Sequence, residues 1–308
     1  MSDIILFVVL TALCCLPLAL LFAAAGLPLT SAMLLFSPPK RVKVFRDKFG
    51  QQTATLCLLT GLAALVCLAA AGFLLARTSP AIASFWFAWP LPLAPLTAGL
   101  ALAGLLALVY RALWQTLKQK RPVHAAIGVV ATLAAWAQGY LFITFFRHLV
   151  TIASAPGADP ALFAAPPDSL AWILLPLVCA LSLALAGAAA SLYLTLRRNK
   201  DDFGRDYYNY ALKLACKWAL FSSLPALALH SWFFIRLWPA VRELPIAPLL
   251  LWSENAAGIC LVLACLLWAA VLKAKNPLRL KFLCLCAAAL AWLALAAMAV
   301  GSVKYFLG

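Results

Sequence analysis

Six polar side chains inside otherwise apolar stretches are the residues of this sequence that could do chemistry. They are Gln138, His148, Lys213, Lys217, His230 and Glu254. An ionisable group within a membrane-spanning segment is costly to bury, so it is a functional candidate by default. No P-loop, His-Glu-x-x-His or Gly-x-Ser-x-Gly sequence accompanies them, so hydrolase and nucleotide-hydrolysing chemistry has no support.

The two histidines of this set could ligate one haem. His148 stands near the end of the fourth apolar segment, next to Arg147, and His230 stands about two turns from the end of the sixth. Two imidazoles at similar depth on facing helices could hold a b-type haem edge-on. The alternative is that each is an interfacial histidine bonded to a hydroxyl or a headgroup. His124, near the start of the fourth segment, is expected to be solvated.

The remaining candidates have simpler alternatives. Glu254 could relay protons or pair with Arg236 or Arg242, and its position close to the interface favours the pairing. Lys213 and Lys217, one turn apart, are expected to extend toward the cytoplasmic surface, with a lipid or quinone headgroup contact as the alternative. Gln138 is a polar candidate near the middle of the fourth segment.

The composition requires a membrane to position these residues. The chain is 66% hydrophobic and 11% charged, and its mean hydropathy is +1.01. A soluble domain cannot hide so much apolar surface, and apolar runs of about 20 residues are typical of membrane spans. The runs do not alternate, so they predict helices rather than a barrel.

Eight helices are predicted. The chain should be an all-α integral membrane protein with spans at residues 4–36, with a kink at Pro28, and at 51–76, 92–117, 123–149, 170–196, 207–238, 247–272 and 278–306. Several exceed the roughly 20 residues needed to cross a bilayer, so tilt or protruding ends are expected.

Basic residues predict the orientation of these spans. The net charge is +15, and Lys and Arg concentrate in alternate connections, at residues 40–48, 118–121, 197–205 and 273–281. Short-loop Lys and Arg mark the cytoplasmic side, which puts both termini outside the cytoplasmic (inner) membrane. The charge is therefore a topology signal, and no nucleic-acid partner is expected.

An internal repeat predicts how the spans are grouped. Phe49-Gly50 matches Phe203-Gly204 at a shift of 154 residues, half of the 308-residue chain, and Trp114 matches Trp268 at the same shift. Four spans per half is an even number, so the halves should be parallel repeats. We expect a four-helix bundle at residues 1–150, an outer linker at 151–169 and a second four-helix bundle at 170–308.

The ten cysteines all fall in apolar segments without a Cys-x-x-Cys sequence, so they are expected to be small packing residues. No metal site is expected beyond the haem iron.

Short sequences resemble subunit I of the cytochrome bd quinol oxidases. They are Leu6-Phe-Val-Val-Leu-Thr11, Lys48-Phe-Gly50, Leu59-Thr-Gly61 and Trp136-Ala-Gln-Gly139. The arrangement of two parallel four-helix units starting outside is similar too. The resemblance implies a redox-associated membrane subunit that carries one haem b or none and works beside other membrane or outer-side redox subunits, with quinone as a further partner.

Departures from that family limit what the resemblance implies. The predicted first and fifth helices lack the family's haem-ligating histidines, the third lacks its carboxylates, and its long outer quinol-binding loop is reduced to a few residues around Arg242 and Glu243. Oxygen reduction by this chain alone is not expected. The sequence therefore predicts a bd-like membrane subunit of a respiratory electron-transfer assembly without the oxygen site. The alternative is a small-molecule or lipid transporter.

Overall fold

The structure, a computed structural model, describes residues 2–36, 42–78, 90–117, 119–152, 164–201 and 203–307, and within these the chain forms helices and no strand. The eight helices are α1 (Ser2–Phe36), α2 (Lys43–Thr78), α3 (Pro90–Ala112), α4 (Arg121–Ile152), α5 (Ala171–Arg197), α6 (Arg205–Val241), α7 (Ala247–Lys273) and α8 (Lys281–Leu307), the last preceded by a 3₁₀ turn at Pro277–Leu280. All eight contain a stretch long and apolar enough to cross a membrane, so the chain is a multi-pass membrane protein.

Most predicted bounds agree with these helices, with two main differences. α2 begins at Lys43, so Phe49 and Gly50 lie inside a helix and not in the preceding loop. α3 ends at Ala112, five residues before the predicted end, because the chain turns there into the short connection to α4. α1 continues through both Pro17 and Pro28. Most of the predicted outer linker, residues 153–163, lies outside the described residues.

The two halves meet along α1 and α5. α1 packs against α2 and α4 in its own half, and α5 packs most extensively against α6, while α1 and α5 also contact each other. Small residues permit this close approach. A Cβ on Gly26 of α1 would lie 2.7 Å from the carbonyl carbon of Ser182 in α5. In lipid, such backbone approach replaces the hydrophobic driving force that water supplies to soluble bundles.

Residues next to the two Phe-Gly sequences contact each other at one end of the bundle. We call this end the basic end, because the described residues of the four basic connections lie there. Lys48 Nζ lies 3.2 Å from the centroid of the Phe203 ring, and Arg46 donates to the hydroxyl of Tyr210 at 3.0 Å. The Tyr207 hydroxyl donates to the side-chain oxygen of Gln52. These contacts join the N-terminal end of α2 to the N-terminal end of α6 and the residue just before it.

The two glycines of the repeat differ in their backbone roles. Gly204 precedes α6 with a positive φ of 78°, a conformation that favours glycine. Gly50 is helical, and the Trp114 ring lies on it so closely that a Cβ there would be 2.6 Å from a ring carbon. Gly204 therefore allows the chain to turn into α6, whereas Gly50 leaves room for the Trp114 ring against α2.

Candidate functional site

A short turn positions the candidate site between α6 and α7. Residues 242–246 connect the two helices, and the amide of Leu244 bonds to the carbonyl of Val241 at 3.0 Å. Helices joined by so short a turn lie side by side and antiparallel. His230 on α6 and Glu254 on α7 reach the same level of the bundle, near the end opposite the basic end.

Both side chains belong to the buried stripes of their helices. On α6 the stripe includes Ser222, Ala226 and His230, at intervals of four residues. On α7 it includes Leu250, Glu254, Ala257 and Leu261. This spacing places His230 and Glu254 inside the helix pair. Only 4% of the surface of His230 and 3% of the surface of Glu254 is exposed.

His230 faces Glu254 with both ring nitrogens. Nε2 lies 3.2 Å from the backbone carbonyl oxygen of Glu254, and Nδ1 lies 3.4 Å from its carboxyl Oε2. Neither Nδ1 nor Oε2 has a hydrogen-bond partner among the described residues. Glu254 forms no ion pair with Arg236 or Arg242 among the described residues, because its carboxyl group faces His230, and Arg242 extends to Glu243 at 3.6 Å, outside the helix pair.

This geometry requires one shared proton. A backbone carbonyl only accepts, so Nε2 must carry a hydrogen to bond to it. In a neutral imidazole Nδ1 is then an acceptor, and an ionised carboxylate beside it would be a second acceptor in a water-poor site. A single proton on either Nδ1 or Oε2 turns this repulsion into a hydrogen bond. His230 and Glu254 together thus form a buried pair that can hold one shared proton between Nδ1 and Oε2.

A groove open to the lipid-facing surface lies over this pair. It encloses about 420 Å³ and is lined by Leu227, His230, Ser231, Phe234, Ile235, Glu254, Asn255, Gly258, Ile259, Val262 and Leu263. We call it the α6–α7 groove. Ile235, Ile259, Val262 and Leu263 are exposed large apolar side chains, so the groove opens sideways on a surface that lipid would cover.

The groove has a polar part and an apolar part. The polar part combines the His230–Glu254 pair with Ser231 and Asn255, each one residue further along its helix. Below it, toward the basic end, the floor is formed by Leu227, Gly258, Ile259, Val262 and Leu263. An amphiphilic molecule with a polar head and an apolar tail matches this division.

No family model, curated protein or solved structure matches this chain. What the site can do is therefore decided by its own chemistry. A buried polar pair beside a groove that opens on an apolar surface favours a lipid-soluble ligand with ionisable or hydrogen-bonding groups over a ligand that enters from water.

The other candidates lie apart from this groove. His148 belongs to α4, and its side chain lies outside the described part of the chain. Gln138 is buried between α4 and α3, where its amide donates to the carbonyl of Leu96 at 2.7 Å. Lys213 and Lys217 lie nearer the basic end of α6. Lys217 is exposed, with Nζ 5.9 Å from the Phe221 ring centroid.

A second buried polar cluster lies at the basic end of the first half. His124 is 1% exposed, and its Nε2 donates to the carbonyl of Tyr110 at 3.0 Å. Its ring also packs against the rings of Tyr110 and Trp114, with centroids 4.6 Å away in both cases. The expectation that His124 is solvated is wrong, because the preceding turn folds it under the end of α3.

Hydrogen bonds extend that cluster in both directions. The Tyr110 hydroxyl bonds to the hydroxyl of Ser31 on α1. On the side nearer the surface, Arg121 bonds to both carboxylate oxygens of Asp47 at 2.9 Å. These bonds tie α1, α2, α3 and α4 together and satisfy buried polar groups, so a structural role accounts for them.

No group of three or more His, Cys, Asp or Glu residues that could hold a metal ion occurs within the described ranges. The ten cysteines are free, and Cys216 and Cys284 face each other across α6 and α8 with their sulfur atoms 4.0 Å apart. That distance is ordinary packing contact, consistent with the expected role of cysteine as a small apolar residue.

Proposed function

We propose that this chain is the membrane subunit of a respiratory electron-transfer assembly, and that it exchanges protons with a lipid-soluble quinone in the α6–α7 groove. The observation that carries the proposal is the buried His230–Glu254 pair in the polar part of a groove that opens on an apolar, lipid-facing surface. Quinones are amphiphilic, dissolve in the bilayer, and couple electron transfer to proton transfer, which such a pair can serve.

The pair would take up the protons that quinol oxidation releases. A hydroquinone loses two electrons and two protons to become a quinone. Each hydroxyl proton passes in turn to the deprotonated His230–Glu254 pair, which passes it on toward the outer surface before the next transfer. The two electrons go one at a time to a one-electron acceptor of a partner subunit, such as an iron–sulfur cluster or a haem. Running in reverse, the same pair protonates a reduced quinone.

The orientation proposed from the basic connections gives this proton transfer a direction. With the basic end in the cytoplasm and both termini outside the cytoplasmic membrane, the groove lies in the outer half of the bilayer. Protons from quinol oxidation would leave on the outer side, where we expect the partner redox subunits to bind.

We also propose that the halves are parallel repeats. Equivalent helices pair in the same way: α1 with α2 as α5 with α6, and α3 with α4 as α7 with α8. The equivalent helices α1 and α5 pack against each other, as expected for repeats related by an axis along the membrane normal. The resemblance to cytochrome bd subunit I stays a prediction.

Ligation of haem b by His148 and His230 also stays a prediction. With both ring nitrogens directed at Glu254, His230 has no nitrogen free for iron in this arrangement, so binding of haem would require its ring to turn away. No step of the proposed proton transfer depends on haem. A reduced-minus-oxidised spectrum of the purified protein tests it directly: a b-type band would support ligation, and a colourless preparation would exclude it.

Quinone binding in lipid nanodiscs tests the proposal. Quinones quench tryptophan fluorescence, so titration of wild-type protein with decylubiquinone should give saturable quenching beyond that caused by partition into lipid. We expect Glu254→Leu and His230→Leu to weaken binding about tenfold or more, because each removes a hydrogen-bonding group from the polar part of the groove.

Thr116→Leu is the control, because Thr116 is an exposed polar residue of the α3–α4 connection that does not line the groove. It should leave the affinity unchanged. Absence of saturable quenching in the wild-type protein, or equal losses in all three variants, would contradict the proposal.

The open side of the groove also suits a lipid transporter. Such a protein would move a labelled phospholipid across proteoliposome membranes, whereas a quinone-binding subunit would not. Flux that depends on Glu254 would favour this second function.

A further inference from the structure

We infer that the quinone lies in the α6–α7 groove with its ring beside His230 and Glu254 and its tail along the apolar floor, and that Gly258 determines whether a tail can bind. This inference rests on the proposed function. It assigns a specificity-determining residue and a ligand orientation within the site.

The polar part offers acceptors for the hydroxyl groups of a reduced ring. The Asn255 side-chain amide donates to the carbonyl of Leu251 at 2.7 Å, which leaves its carbonyl oxygen as an acceptor. Ser231 donates its hydroxyl hydrogen to the carbonyl of Leu227 at 3.0 Å, so its oxygen also remains an acceptor. Together with the His230–Glu254 pair, these groups suit a hydroquinone, whose two hydroxyls are donors.

The apolar part has the length and direction for a tail. From Glu254 to Leu263 the groove follows α7 for nine residues, which is about 13 Å at 1.5 Å per residue. Along this length Leu227 lines one side, and Ile259, Val262 and Leu263 line the other. In the proposed orientation the floor extends toward the bilayer centre. A bound quinol would thus point its head to the surface, as lipids of the outer leaflet do.

Gly258 is the one residue of this floor that has no side chain. It lies one turn after Glu254, and no atom would lie within 4 Å of a Cβ built on it. A side chain at this position would enter the space just below the ring and displace the first part of the tail. Gly104 of α3 has the same open surroundings but lies outside the groove, so it provides a matched control.

The test compares two quinones that differ only in the tail. One is 2,3-dimethoxy-5-methyl-1,4-benzoquinone, which has no tail, and the other is its decyl derivative. Both are titrated in nanodiscs, with partition measured in empty nanodiscs and subtracted. We expect wild-type protein to bind the decyl form about tenfold or more tightly, because the tail buries apolar surface against protein.

Gly258→Leu should remove this preference. Its affinity for the decyl form should fall about tenfold while its affinity for the tail-less form stays within about twofold, since the ring site is left intact. Gly104→Leu should bind both as wild type does. Val262→Phe, a change at an exposed position further along the floor, should also reduce the tail preference, and it provides the test if Gly258→Leu does not fold.

The results separate the two proposals. If neither quinone binds wild-type protein, the proposed function fails. If both bind but Gly258→Leu and Val262→Phe leave the tail preference unchanged, the tail lies elsewhere and this inference is wrong. If Gly258→Leu weakens both quinones equally, Gly258 is part of the ring site and the assignment is also wrong.

Discussion

Gly187 of α5 lies directly against the backbone of Ala219 of α6. A Cβ on Gly187 would be 2.9 Å from the Cα of Ala219 and 2.7 Å from the carbonyl oxygen of Ala215. Those atoms are backbone and cannot rotate away. The two helices are therefore held at the distance that only glycine permits, as in other small-residue contacts within membranes.

Gly187→Ala should destabilise the protein by about 1–3 kcal/mol, because α5 and α6 must separate to admit a methyl group. Gly104→Ala is the control, since a methyl group there meets nothing within 4 Å. Thermal unfolding in detergent, followed by circular dichroism, compares the two. Equal melting temperatures would show that the α5–α6 contact is looser than described.

Replacing His124 tests its role in capping α3. The amide of Trp114 bonds to Arg111, so it does not reach the carbonyl of Tyr110, and His124 bonds to that carbonyl instead. His124→Phe keeps the aromatic packing and loses this bond, so we expect a loss of about 1–2 kcal/mol.

His124→Ala should cost more, about 2–4 kcal/mol, since it also leaves a cavity between the rings of Tyr110 and Trp114. Denaturant or thermal unfolding of the two variants and of the wild-type protein measures both losses of stability. If His124→Phe were as stable as wild type, the bond to Tyr110 would contribute nothing.

The proposed orientation can be tested with single cysteines at connections on opposite sides. Glu243 has an 85% exposed side chain in the α6–α7 turn, and Gln119 is exposed in the α3–α4 connection. A membrane-impermeant maleimide should label Glu243→Cys in intact cells and Gln119→Cys only after permeabilisation. The wild-type chain supplies the background from its own ten cysteines, and the reverse pattern would invert the topology.

The number of helices and their membrane-spanning length could be predicted from the sequence, because each apolar stretch is long enough to cross a bilayer as a helix. The helix ends were harder to predict where polar residues continue a helix beyond the apolar stretch. α2 starts at Lys43 since its first two turns pack at the basic end through Phe45, which contacts Tyr207 and Tyr210 at 5.8 Å between ring centroids. That contact joins residues more than 160 positions apart, and no local pattern shows it.

The site was predicted as separate residues and not as a pair. His230 and Glu254 both stood out as ionisable groups in apolar segments, but Glu254 was expected to pair with an arginine near the interface. Counting from the turn at 242–246 places His230 11 residues before Val241 and Glu254 7 residues after Ala247, which is a difference of about one helical turn. Counting residues therefore does not by itself pair the two side chains. The sequence shows that residue 258 is a glycine. Only the three-dimensional structure shows that Gly258 faces open space and lines the groove.

A double-mutant cycle on His230 and Glu254 measures how strongly the pair interacts. Either single change to leucine leaves a buried polar group unpaired, whereas the double change removes both. We expect the double variant to be more stable than the sum of the single losses predicts, with a coupling energy of about 1–3 kcal/mol.

Glu254→Gln separates stability from proton exchange. Its side-chain amide can donate to Nδ1 of His230, so we expect stability within about 0.5 kcal/mol of wild type. The amide does not titrate, however, so the proton can no longer move to residue 254, and a proton on His230 would leave a buried positive charge without a carboxylate beside it. In the intact assembly, quinol-dependent electron transfer should fall with Glu254→Gln although the protein stays folded and still binds decylubiquinone. Unchanged electron transfer would show that the carboxyl group of Glu254 takes no part in proton exchange.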